Sequence, residues 1–193
     1  MKKYKNIDEM KKTMKKIGIS EETIKKIQFP DTAGLRNPEP KEIVKLINHI
    51  DEFLTEEQRI LVMQEQGCCK SGIGPKAHSG FGLEHAEKSI DEKVKLLNIA
   101  KIPHKAPCHL NGDGTLSVYW GFGNKGQYRC VCWIVNNLPD KKVPLTFCGC
   151  CGGHIRNNYQ KSLGVKLQLL DIVSSAASSD GEKQCEFLFK ILT

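Results

Sequence analysis

The chain has 193 residues, 39% of them hydrophobic, enough for one buried core as a single domain or as one domain with a helical appendage. It has no run of about 18 apolar residues to span a membrane, and its lysine-rich start, MKKYKNIDEMKKTMKK, lacks the apolar stretch of a secretory signal, so a cytoplasmic location is expected. The net charge is +7, yet arginine is confined to Arg36, Arg59, Arg129 and Arg156 and no nucleic-acid motif accompanies the lysines, so the basic amino-terminal face reads as solvated helix.

The first hundred residues follow a helical period. Ile7, Met10, Met14 and Ile17 recur at helical spacing, and Gly18 closes that segment. Ser20 caps a short helix, 21–28, ahead of Pro30, and residues 31–39 form a connector broken at Gly34 and Pro38. An amphipathic helix begins near Pro40, with Ile43, Leu46, Ile47, Ile50, Phe53 and Leu54 on one face. Thr55-Glu56-Glu57-Gln58 is a capping box from which a further helix runs to about Gln66. A glycine-rich polar loop is expected from Gly67 to Gly82. It does not have the G-x-x-x-x-G-K-[ST] of a phosphate loop, and it follows a helix instead of a strand. The next helix is predicted over 83–98, with Ala86, Ile90, Val94 and Leu97 as its apolar stripe.

After about residue 100 the apolar period changes from 3.6 to 2. Residues 115–122 and 127–135 read as strands joined by the turn Gly123-Asn124-Lys125-Gly126. A short strand over 145–150 is expected to lead into a helix from about Gly153 to Leu163, with Gly164 as its C-cap. Residues 165–174 and 184–192 form a second hairpin around Ser178-Ser179-Asp180-Gly181. The expected fold is therefore α+β, a helical region over 1–100 followed by a cysteine-rich antiparallel sheet with one packed helix over 101–193, the two packed as one unit.

Nine cysteines, an odd number in a reducing compartment, argue against a disulfide framework and for ligand or catalytic roles. Cys130-Val-Cys132 and Cys148-Gly-Cys150 repeat an i, i+2 spacing that on extended chain aims both sulfurs to one side of a sheet. Two such pairs on neighbouring segments would form a thiolate cage suited to zinc or, second, to an iron–sulfur cluster, with Cys151 and His154 as substitute ligands. The competing reading is that these thiols are small apolar core residues. Cys151 at a helix start, with His154 one turn on, also fits a thiolate nucleophile with a nearby base. Cys68, Cys69 and the Cys108-His109 pair are weaker ligand candidates, and His49, His78, His85 and His104 read as structural.

The carboxy-terminal stretch from Cys148-Gly-Cys150-Cys151-Gly-Gly-His154 to Gly181-Glu182-Lys183-Gln184-Cys185-Glu186-Phe187 resembles the end of the 4-vinyl reductase-type small-molecule-binding domain, in the group with the heme nitric-oxide-binding fold. It is also similar to L-2-amino-thiazoline-4-carboxylate hydrolase-like proteins. The shared pattern is a helix-opening cysteine, a helix-ending glycine, a hairpin and G-[DE]-x-x-C-x-F, over about fifty residues. The resemblance implies a small-molecule ligand and, in zinc-binding members, ligands at Cys151 and Cys185. Where those members carry an acid and a thiol in the hairpin, this chain has Ser174 and Ala177. The expectation is thus a protein binding zinc, a small molecule or both, with a thiol- or metal-dependent hydrolase of small C–N or C–S substrates as the alternative. Neither nucleic acid nor membrane is an expected partner.

Overall fold

Met10 and Met14 are buried on the first helix, α1 (Ile7–Lys16), and Gly18, at φ +84°, turns the chain out of it. Ser20 Oγ accepts from the Thr23 amide and opens α2 (Glu21–Lys26). Pro40 stands in the first turn of α3 (Pro40–Phe53), whose Ile43, Leu46, Ile47 and Ile50 are almost fully buried. Thr55 and Gln58 form the expected reciprocal capping box at the start of α4 (Glu56–Gln64). The computed structural model describes residues 7–30, 39–67 and 71–192. The connector residues 31–38 and the candidates Cys68 and Cys69 lie outside the described residues.

Two elements of the helical half depart from the expected pattern. The glycine-rich segment is a helix, α5 (Ile73–Glu84), with Pro75 in its first turn, where a missing N–H is tolerated. Its Gly82 would place a Cβ 2.0 Å from the Lys161 carbonyl oxygen, so a contact between two backbones is what the glycine serves. The predicted helix over 83–98 is divided. The chain turns after Glu84, and Ser89 and Glu92 form a second capping box that starts α6 (Ile90–Ile99).

The second half carries a four-stranded antiparallel sheet in the order β1 (Cys108–Leu110), β2 (Thr115–Trp120), β4 (Cys185–Leu192), β3 (Lys166–Ser174). Two transverse rows form its inner face. Leu116 pairs with Phe189 and Phe189 with Leu169, and Val118 pairs with Phe187 and Phe187 with Ile172. All six are buried. Helix α8 (Gly149–Leu163) lies on this face, and Gly152 lets it approach until an added Cβ would stand 2.7 Å from Leu169 Cδ2. Gly164, at φ +72° and ψ 25°, closes α8 as the sequence implies. Buried apolar residues from Met10 to Phe189 form one contiguous cluster. The chain is α+β.

The strands expected over 127–135 and 145–150 are absent. A single bridge, Phe122 to Arg129, follows the turn at Gly123–Gly126, after which the chain coils into a short helix, α7 (Trp133–Asn136). Both edges of β2 are already occupied, by β1 and β4, so no ladder remains for residues 127–135. The Tyr128 amide bonds instead to the Gly181 carbonyl at 2.9 Å. Residues 145–148 form a 3₁₀ turn that runs directly into α8, which therefore starts four residues earlier than predicted.

Candidate functional site

Helical geometry re-pairs the thiols. Successive residues on a helix leave about 100° apart, and residues three apart share a side. Cys148, at the end of the 3₁₀ turn, is therefore matched with Cys151 in the first turn of α8, whereas Cys150 leaves in a different direction and joins the apolar core at 8% exposure. Cys130 and Cys132 lie in the coil ahead of α7, and Cys185 opens β4 opposite Trp120.

Cys151 is the common neighbour. Its charge is felt at Cys130, Cys132, Cys148 and Cys185. Cys148 in turn feels Cys185 and Cys130, and Cys130 feels Cys132 and Cys185. Two of the expected candidates on the loop, two on the helix and Cys185 from the last strand thus gather at the amino terminus of α8. Cys150 does not belong to this group. No disulfide joins any two of the described cysteines.

Burial governs the titration of the group. It pushes Cys130 up to about 12 and Cys185 up to about 11, raises Cys132, and holds Cys148 well above the ordinary thiol range. Nearby hydrogen-bond donors work in the opposite direction. The Cys132 amide donates to Cys130 Sγ at 3.5 Å. The Val135 and Ile134 amides lie near Cys132, the Ala176 amide near Cys185 and the Ser175 hydroxyl near Cys148, and each lowers its neighbour's value, though the Cys132 side chain makes no cap hydrogen bond to α7. Donors of this kind stabilise sulfur when it carries negative charge, as does the positive end of the α8 dipole.

A second buried polar set continues along the same helix. Cys151, His154, Asn158 and Ser162 follow one another at spacings of three and four, forming one stripe on α8. His154 is 7% exposed, while Asn158 and Ser162 are fully buried. Asn158 Nδ2 lies 3.3 Å from His154 Nε2. The His154 ring packs edge-on to His104 and Trp120, with centroids 5.6 and 5.7 Å away. His78 of α5, also fully buried, places Nδ1 2.7 Å from Ser162 Oγ. Burial lowers the His78 imidazole to about 4 against the His104 backbone, which raises it, and the nearby charges of His154, His104 and Lys161 lower it further.

Three residues in this region carry no distinctive pattern in the sequence. His78 and His104, expected to be structural, stand near His154, and Cys185 on β4 sits near Cys151. The contact from His78 on α5 to Ser162 on α8 joins residues 84 apart, and no local pattern announces it. Cys108 sits apart from the thiol group on β1. Its amide and thiol both meet Asn98 Oδ1, at 2.9 and 3.7 Å, and burial pushes it up to about 12. His109 is exposed on the opposite side of the same strand.

Among the described residues no three His, Cys, Asp or Glu side chains stand in an arrangement that would hold a metal ion as they are. No helix among them is long and apolar enough to cross a membrane. Set beside protein families, curated proteins and solved structures, the chain matches none of them.

Proposed function

We propose that the protein is a thiolate metal-binding protein whose centre uses Cys151 with Cys130, Cys132, Cys148 and Cys185. The observation that supports this most is the gathering of four thiols around Cys151, one of them, Cys130 Sγ, accepting from the Cys132 amide at 3.5 Å. A neutral buried thiol gains little from such a donor, and a metal-bound thiolate gains a great deal. Four soft sulfurs suffice for tetrahedral zinc, and the group offers five. When bound, the ion supplies the positive charge that lets buried sulfurs ionise. Because the thiols do not yet stand as ligands, binding draws the Cys130–Cys132 coil toward α8 and couples metal to local order.

Elemental analysis of protein purified without a metal-affinity tag tests this. About one zinc per chain is expected, lost in the Cys148→Ser, Cys151→Ser double variant, which leaves three of the five sulfurs, and retained in Cys150→Ser. Retention in both variants, or loss in both, would remove the support for a centre around Cys151.

A second reading is a thiol-dependent hydrolase of small C–N or C–S substrates, with Cys151 as nucleophile and His154 as base. The Asn158 amide at His154 Nε2 favours it, since it holds the imidazole in one orientation. In that case metal-free protein should lose one thiol rapidly to iodoacetamide near pH 7, at Cys151, and much more slowly in Asn158→Ala.

A further inference from the structure

The wall of the thiol group continues into a cleft of about 770 Å³, formed between the coil at 122–141 and the turn at 176–181, with Cys130 as one of its lining residues. That volume lies in the range of small-molecule sites. We propose that this cleft binds a small organic anion, a flat apolar body carrying one carboxylate, with the carboxylate held by Arg129 and Lys141. The inference rests on Arg129, Lys141 and the apolar wall and uses none of the thiols as a ligand group.

Three features define the class of ligand. The first is an uncovered apolar strip in an otherwise polar lining: Phe122 and Val131 are 44% and 55% exposed, and Tyr128 and the buried Val135 flank them. The second is an imbalance of satisfied charge. Of the two carboxylates of the cleft, Asp180 is paired with Lys142 Nζ at 2.7 Å, while Asp140 accepts only from the Lys142 amide at 3.3 Å, which leaves two cations facing one unneutralised carboxylate. Arg129 and Lys141, on the same walls, have no ion pair among the described residues. A guanidinium and an ammonium beside apolar surface favour a carboxylate on an apolar frame over a neutral or cationic molecule.

The third feature is backbone strain. Among the described residues only three non-glycine residues have positive φ, and two of them, Lys141 at 53° and Asp180 at 52°, line this cleft. The left-handed region is unfavourable for residues with a side chain, and such positions gather where a site holds its geometry. Gly181, at φ +84°, packs against the Tyr128 carbonyl and ties the two halves of the cleft together.

The test uses the full chain, isotope-labelled, and two probes of equal shape: 2-naphthoate and its uncharged amide, 2-naphthamide. Amide resonances of residues 122–141 and 176–181 should shift saturably with 2-naphthoate, and its affinity should exceed that of 2-naphthamide by about tenfold or more. In the Arg129→Gln, Lys141→Gln double variant the naphthoate affinity should fall to that of the amide. In Phe122→Ala both probes should weaken together. Equal binding of the two probes to wild-type protein, saturable shifts confined to another region, or no saturable shift with either probe up to about 10 mM would each overturn the proposal. Metal content measured on the same samples keeps this result separate from that of the thiol centre.

Discussion

Replacing Gly153 with alanine should destabilise the fold, although alanine is the better helix former. In an open helix the exchange gains about 1 kcal/mol. At Gly153, however, the new Cβ would lie 1.9 Å from the Gln64 carbonyl oxygen and 2.7 Å from its carbonyl carbon. Both are backbone atoms of α4, so no side chain can rotate away. About 1 Å of separation between α4 and α8 is needed to relieve the contact. Gly149, one turn earlier, already holds α8 against Met63, so the helices cannot part at one point alone. Overpacking of this kind costs about 1–3 kcal/mol, and rigid backbone on both sides puts it at the upper end. A net loss of about 2 kcal/mol is expected, or a fall in Tm of about 4–8 °C for a chain of this length. Urea unfolding under reducing conditions measures it. Gly80→Ala provides the contrast, since that glycine lies inside α5 with nothing within 4 Å of its missing Cβ. It should gain about 0.5–1 kcal/mol. If both substitutions shift stability in the same direction, the close approach of α4 and α8 is not what requires Gly153.

Phe187→Ala should cost about 3–5 kcal/mol by denaturant unfolding, because the ring is fully buried between β2, β3 and Gly152 of α8; a loss below about 1 kcal/mol would place that face outside the core. The low value of His78 makes stability fall as pH drops from 6.5 toward about 4, since the unfolded chain takes up a proton that the native one refuses. This acid limb should shrink in His78→Gln and persist in His109→Gln, the exposed control. Metal-free protein should lose stability as pH rises from 9 toward about 11 to 12, where the unfolded chain has released thiol protons that Cys185 and Cys130 retain in the native state. Thermal melts at several alkaline pH values check this, and an unchanged Tm through that window would contradict it.

The helices were legible wherever local chemistry decides structure. The Thr55 box, the Ser20 cap, Gly18 and Gly164 each act within a turn of their own position, so sequence alone locates them. The terminal hairpin was legible because apolar alternation in β4 matches its burial. The segment over 127–135 misled because its alternation is that of a strand, while the partner it would need is taken by Cys108–Leu110 and by a strand more than fifty residues downstream. Glycine punctuation at 74, 80 and 82 reads as loop, yet Gly74 and Gly82 are small so that another segment can pass close by. The candidate thiols were therefore found from composition, whereas their grouping depended on whether the chain around them is extended or helical. Because that chain is helical, Cys148 is matched with Cys151 and not with Cys150.

The pairing of Trp120 with Cys185 has a consequence for how the protein is made. Cys130, Cys132, Cys148 and Cys151 emerge during synthesis well before β4, and until β4 docks between β2 and β3 the inner sheet rows and the fifth sulfur are missing. Contacts this distant in sequence form slowly, because the intervening chain must be ordered first. During that interval the thiols are more accessible than in the finished fold, and oxidation or premature capture of a soft ion is a hazard of assembly.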